Sequence, residues 1–374
     1  MGKARIDFSV VIPTFGRESY VRKLLASLDA ARSNYDGEVE VIIVDSSNQV
    51  AAQHIAESCK MYDAIYCEGE QSVRWKRNYG VRQSRFPIVM FIDSDCEVDS
   101  DIFKEHAKIY ESVIERLGGV YGLTRFVGKR SFLWRIIELT SFVDVFSFAE
   151  RFPYVQWAIG NNISYFRSVF DNVGGFEENF PFRLGGDDLD LSLRVTTSGH
   201  WIKTNPRAVT YHARDTWNSW KAILERAIRW GRMEYYICNK HPQLLRRDLP
   251  RREPLFLLFS LFSPVLAIVS HSMIPIWGIV LWGITAFLLR SLLDQVAGHG
   301  KPLFYHFLAQ IPTVMYQLGC IFEYLRHKRL DILYRRMIFS IHHIRSIWPE
   351  EVRRLWASLL AFWIVLLFYA LLPR

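Results

Sequence analysis

An α/β domain built on a mostly parallel sheet, followed by a helical region associated with a membrane, is the fold class this 374-residue sequence predicts. Three observations predict it. Short continuous runs of Val, Ile and Phe read as strands buried on both faces. Segments of helical period alternate with them, the pattern of a sheet covered by helices. The composition then changes at residues 246–253 (RRDLPRRE), after which long apolar runs dominate. These features divide the chain into an α/β domain over 1–245 and a membrane domain over 246–374.

In order, residues 8–13 (FSVVIP) read as a strand that ends at Pro13. Residues 18–32 read as an amphipathic helix with Val21, Leu24, Leu25 and Leu28 on one face. Further strands are expected at 40–45 (EVIIVD), 64–67 and 88–93 (IVMFID), with a helix at 72–84 and a strand-like run at 208–211 (AVTY). In such sheets ligands gather beyond the carboxyl ends of the strands. Thr14, Asp45 and Asp93 stand at those ends.

The second half carries three apolar runs of bilayer-spanning length, at 254–270, 273–289 and 355–372. The stretch 303–325 is interrupted by His306, Gln310, Pro312, Gln317 and Glu323, and reads as an interfacial or re-entrant segment. Residues 326–354 are rich in Lys and Arg and read as a basic segment on anionic headgroups. Basic loops favour the cytoplasmic side, and Met1 to Phe8 contain no apolar run of signal-peptide length. The expectation is an integral membrane protein with a cytoplasmic catalytic domain. Membrane lipids thus account for much of the net charge of +8, and nucleic acid is excluded as a partner because the basic residues cluster beside the apolar runs. Five scattered cysteines, with no C-x-x-C pair, fit reduced thiols and no zinc site.

The strongest chemical signal is Asp93-Ser94-Asp95 after an apolar strand. Two carboxylates spaced this way offer hard oxygen ligands to Mg²⁺ or Mn²⁺, with a diphosphate supplying others. A second cluster, Gly185-Gly186-Asp187-Asp188-Leu189-Asp190, opens a helix. Capping and the helix dipole explain one of its acids well and three poorly, so one carboxylate reads as a general base in a cleft. His212 follows the 208–211 run and would complement two carboxylates as a third metal ligand. Arg74, Lys76 and Arg77 share the 72–84 helix, where one or two can meet a diphosphate. Trp217 and Trp230 are candidates to stack on an acceptor.

With these residues in place, the chain resembles glycosyltransferase family 2, which has the GT-A fold, a Rossmann-like mixed sheet. The residues Val10-Val11-Ile12-Pro13-Thr14-Phe15-Gly16-Arg17 are similar to the family's opening V-V-I-P-T-[YF]-[NG]-R. Val44-Asp45-Ser46-Ser47 stands where the family has V-D-D-G-S, and Lys76-Arg77-Asn78-Tyr79-Gly80 resembles A-R-N-x-G. Asp93-Ser94-Asp95 resembles D-x-D, Gly160-Asn161-Asn162 resembles G-x-N, and Gly186-Asp187-Asp188-Leu189-Asp190 resembles G-[ED]-D-x-D. Arg226-Ala227-Ile228-Arg229-Trp230 is close to the Q-x-x-R-W of processive synthases, with Arg226 in place of Gln.

The resemblance implies an inverting transferase. A sugar would move from a nucleotide-sugar donor, most often a UDP-sugar in this family, to a hydroxyl of a glycan or a lipid-linked or membrane-proximal acceptor. It implies donor contacts from Pro13, Thr14, Arg17, Asp45, Arg77, Asp93 and Asn161. A Mn²⁺ or Mg²⁺ ion would be held by Asp95, His212 and Asp93. Asp188, paired with Asp187, would be the catalytic base, and Trp217, Arg229 and Trp230 would meet the acceptor. The competing readings are a polyprenyl-phosphate glycosyltransferase and, from another class, a non-catalytic membrane scaffold with a degenerate nucleotide-sugar domain.

Overall fold

The computed structural model describes residues 5–112, 114–179, 185–247, 252–295, 300–331 and 335–337. It divides into two compact units: Met1–Ser131 with Ser141–Asn218, and Phe132–Thr140 with Ser219–Arg374. The division falls earlier than the expected 245/246 boundary, because the helix after residue 218 groups with the later helices and not with the sheet.

The first unit runs β1 (Phe8–Thr14), α1 (Glu18–Ser33), β2 (Val39–Asp45), α2 (Gln49–Met61), β3 (Ile65–Glu68), α3 (Val73–Gln83), β4 (Ile88–Phe91), β5 (Cys96–Val98), α4 (Ile102–Glu111) and β6 (Leu117–Val127). Helix α5 (Phe132–Ile137) belongs to the second unit. The first unit resumes with α6 (Phe148–Arg151), β7 (Tyr154–Val155), β8 (Ile163–Phe166), α7 (Arg167–Asn172), α8 (Asp187–Thr197) and β9 (Trp201–Ala213). One nine-stranded sheet has the order β3-β2-β1-β4-β8-β6-β9-β5, with β7 on β9. The β3-β2-β1-β4 side is parallel. Strand β8 runs antiparallel to β4 and β6, and β5 antiparallel to β9. The sheet is therefore mixed.

Alternation along β1 shows why these runs are strands. Val10 and Ile12 pack in one layer with Leu24, Leu28 and Phe103, while Val11 packs in the other with Val81, Phe91 and Tyr165. Both faces are covered, so both sets of positions are apolar, and each fully buried side chain of this size contributes about 1.5–3 kcal/mol. Helix α3 breaks the amphipathic rule. Its buried residues are Arg74, Lys76, Arg77, Gly80 and Val81, so three cations face inward. The helix lies close to β1, where a Cβ on Gly80 would overlap Val11. The parallel register ends Thr14 opposite Asp45 and brings β4 alongside β1, so the ends of β1 and β2 and the turn after β4 share one edge.

The second unit contains α5, α9 (Trp220–Lys240), β10 (Leu245–Arg247), α10 (Arg252–Val269), α11 (Ile274–Asp294), α12 (Leu303–Arg326) and β11 (Arg335–Met337). Helices α9 and α12 cross closely. A Cβ on Gly231 would overlap the Tyr316 carbonyl, and one on Gly319 the Ile228 carbonyl. The fully buried Glu323 accepts from Arg232 Nε at 2.7 Å and from the Tyr236 hydroxyl at 2.7 Å. The expected spans at 254–270 and 273–289 form α10 and α11. Among the described residues, however, no helix is long and apolar enough to cross a membrane. The expected span at 355–372 lies outside the described residues, as do most of the basic residues of 326–354. The segment 303–325 is a continuous helix, α12, with Pro312 inside it.

Candidate active site

The site is built from the ends of β1, β2 and β4, the inward face of α3, the 160–162 turn, the head of α8 and the end of β9, all within the first unit. Arg77 is its hub. Its side chain is 5 % exposed and pairs through Nη1 with Asp187 at 2.9 Å and through Nη2 with Asp93 at 2.9 Å. Nη2 also donates to the Gly160 carbonyl at 3.3 Å, and the guanidinium lies over the Phe176 ring. Burial alone would weaken its hold on the proton, but Asp93, Asp187 and Asp188 raise it above the ordinary arginine value. The planar fork of arginine suits two carboxylates at once. Arg74 Nε lies 3.9 Å from Asp187 and adds to the same cluster.

Glycine at position 160 is a steric requirement, since a Cβ there would overlap the Arg77 guanidinium. Its N–H donates to Asp188 Oδ2 at 3.1 Å, while Leu189 N–H donates to Oδ1 at 2.9 Å. Asp188 stands in the first turn of α8 after Gly186, whose φ of 81° is left-handed. Burial, and secondly the charge of Asp187, push the Asp188 carboxyl up to about 6, against the opposing pull of Arg77 and the two N–H groups. A half-buried carboxylate in that range is suited to accept a proton near neutral pH. Asp190 is structural. It is fully buried and holds Arg194 at 2.9 Å.

The remaining carboxylates face other partners. Burial pushes the Asp93 carboxyl up, with Arg77 opposing. Asp95 is 6 % exposed; its Oδ2 takes Arg17 Nη1 at 2.8 Å and its Oδ1 lies 3.6 Å from His212 Nε2. The Arg17 side chain is 43 % exposed, so this pair is worth at most about 1 kcal/mol. His212 Nδ1 donates to the Ala213 carbonyl at 3.0 Å, which orients the ring with Nε2 toward Asp95. The ring is walled by Phe126 and Trp217. Antiparallel register sets Cys96 directly opposite His212. One ligand atom each of Asp95, Cys96 and His212 lie within 4.8 Å of one another, a set able to hold a metal ion.

Of the expected ligands, Asp95 and His212 are brought together, Asp93 Oδ1 pairs with Arg77, and Cys96 stands beside the first two. No sequence signal marked Cys96, because only pairing between β5 and β9 puts it beside the histidine. A buried carboxylate and an imidazole with its far nitrogen hydrogen-bonded fit Mn²⁺ or Mg²⁺, whereas burial pushes the Cys96 thiol well up and its sulfur suits softer ions.

At the ends of β1 and β2, Pro13 and Thr14 close β1, and Lys76 Nζ donates to the Thr14 carbonyl. Burial lowers the Lys76 ammonium to about 8, with Asp45 opposing. Asp45 is buried, accepting from Ser47 N–H at 3.0 Å and from the Tyr66 hydroxyl at 3.2 Å. Asn161 is buried and its Oδ1 accepts from Thr124 at 3.3 Å, while its Nδ2 has no partner among the described residues. Trp217 is 5 % exposed and packed on Phe126 and Phe146, so it lines the His212 pocket and offers no open face to an acceptor. Arg229 and Trp230 lie on α9, in the second unit, with Trp230 beneath Arg226.

The chain is 21% identical over 247 residues to the dolichyl N-acetyl-alpha-D-glucosaminyl phosphate 3-beta-D-2,3-diacetamido-2,3-dideoxy-beta-D-glucuronosyltransferase of Methanococcus voltae, covering 62% of this chain and 74% of that one. It is 23% identical over 176 residues to the glucosyl-dolichyl phosphate glucuronosyltransferase of Haloferax volcanii, covering 46% of this chain and 56% of the relative. Among solved structures, the mannosyltransferase PcManGT from Pyrobaculum calidifontis, in complex with GDP-Man and Mn²⁺, is similar in fold. Its TM-score is 0.52 at 16% identity, over 87% of this chain and 88% of that one. The family described as Glycosyl transferase family 2 matches residues 9–174. The matched stretch runs from the first strand to the turn after α7 and lies within a mixed α/β sheet of GT-A type.

Proposed function

We propose that the first unit transfers a sugar from a nucleoside-diphosphate donor to an acceptor hydroxyl, with inversion, and that Asp188 is its general base. The observation that carries this reading is Asp188 itself: half-buried, pushed up to about 6, and held by the Gly160 and Leu189 N–H groups beside the Arg77 hub. Two fixed N–H donors aim the carboxylate, so an approaching hydroxyl meets an oriented acceptor for its proton. Arg77 keeps Asp93 and Asp187 in place and leaves Asp188, among the described residues, as the carboxylate of this cluster without a direct guanidinium partner. Asp95 and His212 would hold Mn²⁺ or Mg²⁺, which would supply positive charge to the diphosphate leaving group. Thr14, Asp45 and the 160–161 turn form the donor side.

A relative named for a dolichyl-linked sugar phosphate and another named for glucosyl-dolichyl phosphate support a lipid-linked acceptor. The similar mannosyltransferase in complex with GDP-Man and Mn²⁺ supports a nucleotide-sugar donor, and widens the candidates from UDP- to GDP-sugars. Exposed apolar residues on α10 and α11, including Leu261, Ile268, Trp277 and Leu281, support work at a membrane. We place the catalytic unit on the cytoplasmic face. The non-catalytic alternative is disfavoured because Asp95, His212, Arg77 and Asp188 are all present and ordered around one another.

The test is nucleoside-diphosphate release by the detergent-purified protein from a panel of UDP- and GDP-sugars with a dolichyl-phosphate-linked sugar. Asp188→Asn is expected to bind donor with unchanged affinity and to lose transfer by at least two orders of magnitude. Unchanged turnover in that variant ends the assignment.

A further inference from the structure

We propose that Arg17 is a stand-in cation at Asp95, which makes metal and nucleotide bind cooperatively. The inference rests on the metal role of Asp95 argued above and adds a second role for a residue that the sequence pattern assigns only to the donor. Four carboxylates face this site, Asp93, Asp95, Asp187 and Asp188. Arg77 and Arg74 serve Asp93 and Asp187, and their side chains are 5 % and 6 % exposed. Arg17 serves Asp95 from a different position: its guanidinium is 43 % exposed while its carboxylate partner is 6 % exposed. The first two pairs are built in; the third is held from the solvent side and is free to leave.

The backbone explains how the side chain is presented. Arg17 has φ 65° and stands immediately before α1, where its carbonyl accepts the Tyr20 and Val21 N–H groups at 2.9 and 3.0 Å. The main chain is therefore fixed in the left-handed region while the long side chain swings from a fixed root. In the pose described, it covers Asp95 Oδ2, one of the two oxygens a cation would use.

A divalent cation arriving alone at Asp95 must displace this guanidinium and then sit beside its charge. A diphosphate arriving with the cation gives Arg17 a new anionic partner within reach of the same root. Arg17 thus opposes metal alone and favours metal with diphosphate. By linkage, the same factor appears whichever ligand is varied.

The experiment measures Mn²⁺ binding to the full-length protein by the free-ion EPR signal. It also measures UDP and GDP binding by calorimetry with and without saturating Mn²⁺. Arg17→Asn is the informative variant, since Asn tolerates the left-handed backbone. It is expected to bind Mn²⁺ alone about 3- to 10-fold more tightly, and to lose a similar factor from the gain in nucleotide affinity that Mn²⁺ gives the unsubstituted protein. Arg17→Lys, which keeps the charge, is expected to restore most of that gain. Unchanged or weaker Mn²⁺ binding in Arg17→Asn overturns the proposal, as does an unchanged effect of Mn²⁺ on nucleotide affinity. Asp95→Ala separates the two levels. If it still binds Mn²⁺ as the unsubstituted protein does, the metal reading itself is wrong; if it loses Mn²⁺, that reading stands whatever Arg17 shows.

Discussion

At the scale of single residues, Asp188 as the proposed general base should control the pH response. Its carboxyl is raised to about 6 by burial and by Asp187, and only the ionised form accepts a proton. Transfer should therefore rise with unit slope up to about pH 6 and level off above it, measured as kcat/KM across a range of roughly pH 4.5–8. Asp187→Asn removes the neighbouring charge and should move that limb to lower pH. The stability effect has the opposite sense. A folded-state value above the unfolded 3.8 means that the native state holds the proton more tightly, so stability falls as pH rises from about 4 through about 6. Asp188→Asn should thus be more stable than the unsubstituted protein at pH 7, on the order of 2 kcal/mol, read by urea denaturation. Arg77→Met has the reverse outcome. It leaves Asp93 and Asp187 buried without their cation, and a loss of about 3–5 kcal/mol is expected in the same measurement. Cys96 sets a third expectation. Thiols favour soft ions, so Cd²⁺ should give a thiolate-to-metal ultraviolet band in the unsubstituted protein and none in Cys96→Ser. An identical band in both would remove Cys96 from the ligand set.

At the scale of elements, the parts of the site that follow from local chemistry were legible, and the parts that follow from pairing were not. Strands β1, β2 and β4 are continuous apolar runs ending in Thr14, Asp45 and the Asp93 turn, and residues this close to a strand end declare their position. The acids heading α8 exceed what a helix N-terminus explains, so Asp188 could be singled out too. Strands β5, β6 and β8 were missed, because three or four residues beside a turn carry no period, and β6 contains Gly118, Gly119 and Gly122. Without β5 against β9, nothing connects Cys96 to His212. Trp217 failed as an acceptor platform for a related reason: a tryptophan seen in sequence shows its size, while its wall of Phe126 and Phe146 comes from distant strands and turns. Helix α3 gives the clearest test at this level. It has little apolar stripe and is held by cations that reach carboxylates and carbonyls on other elements. Gly160→Ala should disturb it from outside by crowding the Arg77 guanidinium. The expected cost is about 1–3 kcal/mol in thermal or urea unfolding, with a fall in transfer larger than that of a surface Gly→Ala change.

At the scale of the whole molecule, the exposed apolar surface of the second unit is what the proposed work at a membrane rests on. Leu261 is 75% exposed, Ile268 73% and Trp277 66%, with Val280, Leu281 and Ile284 also exposed on α11. Soluble proteins rarely leave so much apolar surface in water. Among the described residues no helix is long and apolar enough to cross a bilayer, and the proposed membrane contact would be made by the exposed faces of α10 and α11. The antiparallel register of β10 and β11 sets Arg246 opposite Arg336 and Arg247 opposite Arg335. The arginines of 246–252 and the basic residues of 326–354 carry the expectation of anionic headgroups as a partner. The purified protein should therefore float with phosphatidylserine-containing vesicles more strongly than with phosphatidylcholine vesicles, and the difference should shrink as salt is raised. Trp277→Glu with Leu281→Glu should abolish flotation on both, while leaving donor hydrolysis in detergent unchanged, because both positions lie in the second unit and the donor site in the first. Flotation that survives the double substitution would move membrane contact away from α11, and a simultaneous loss of donor hydrolysis would show that the helix supports the fold instead.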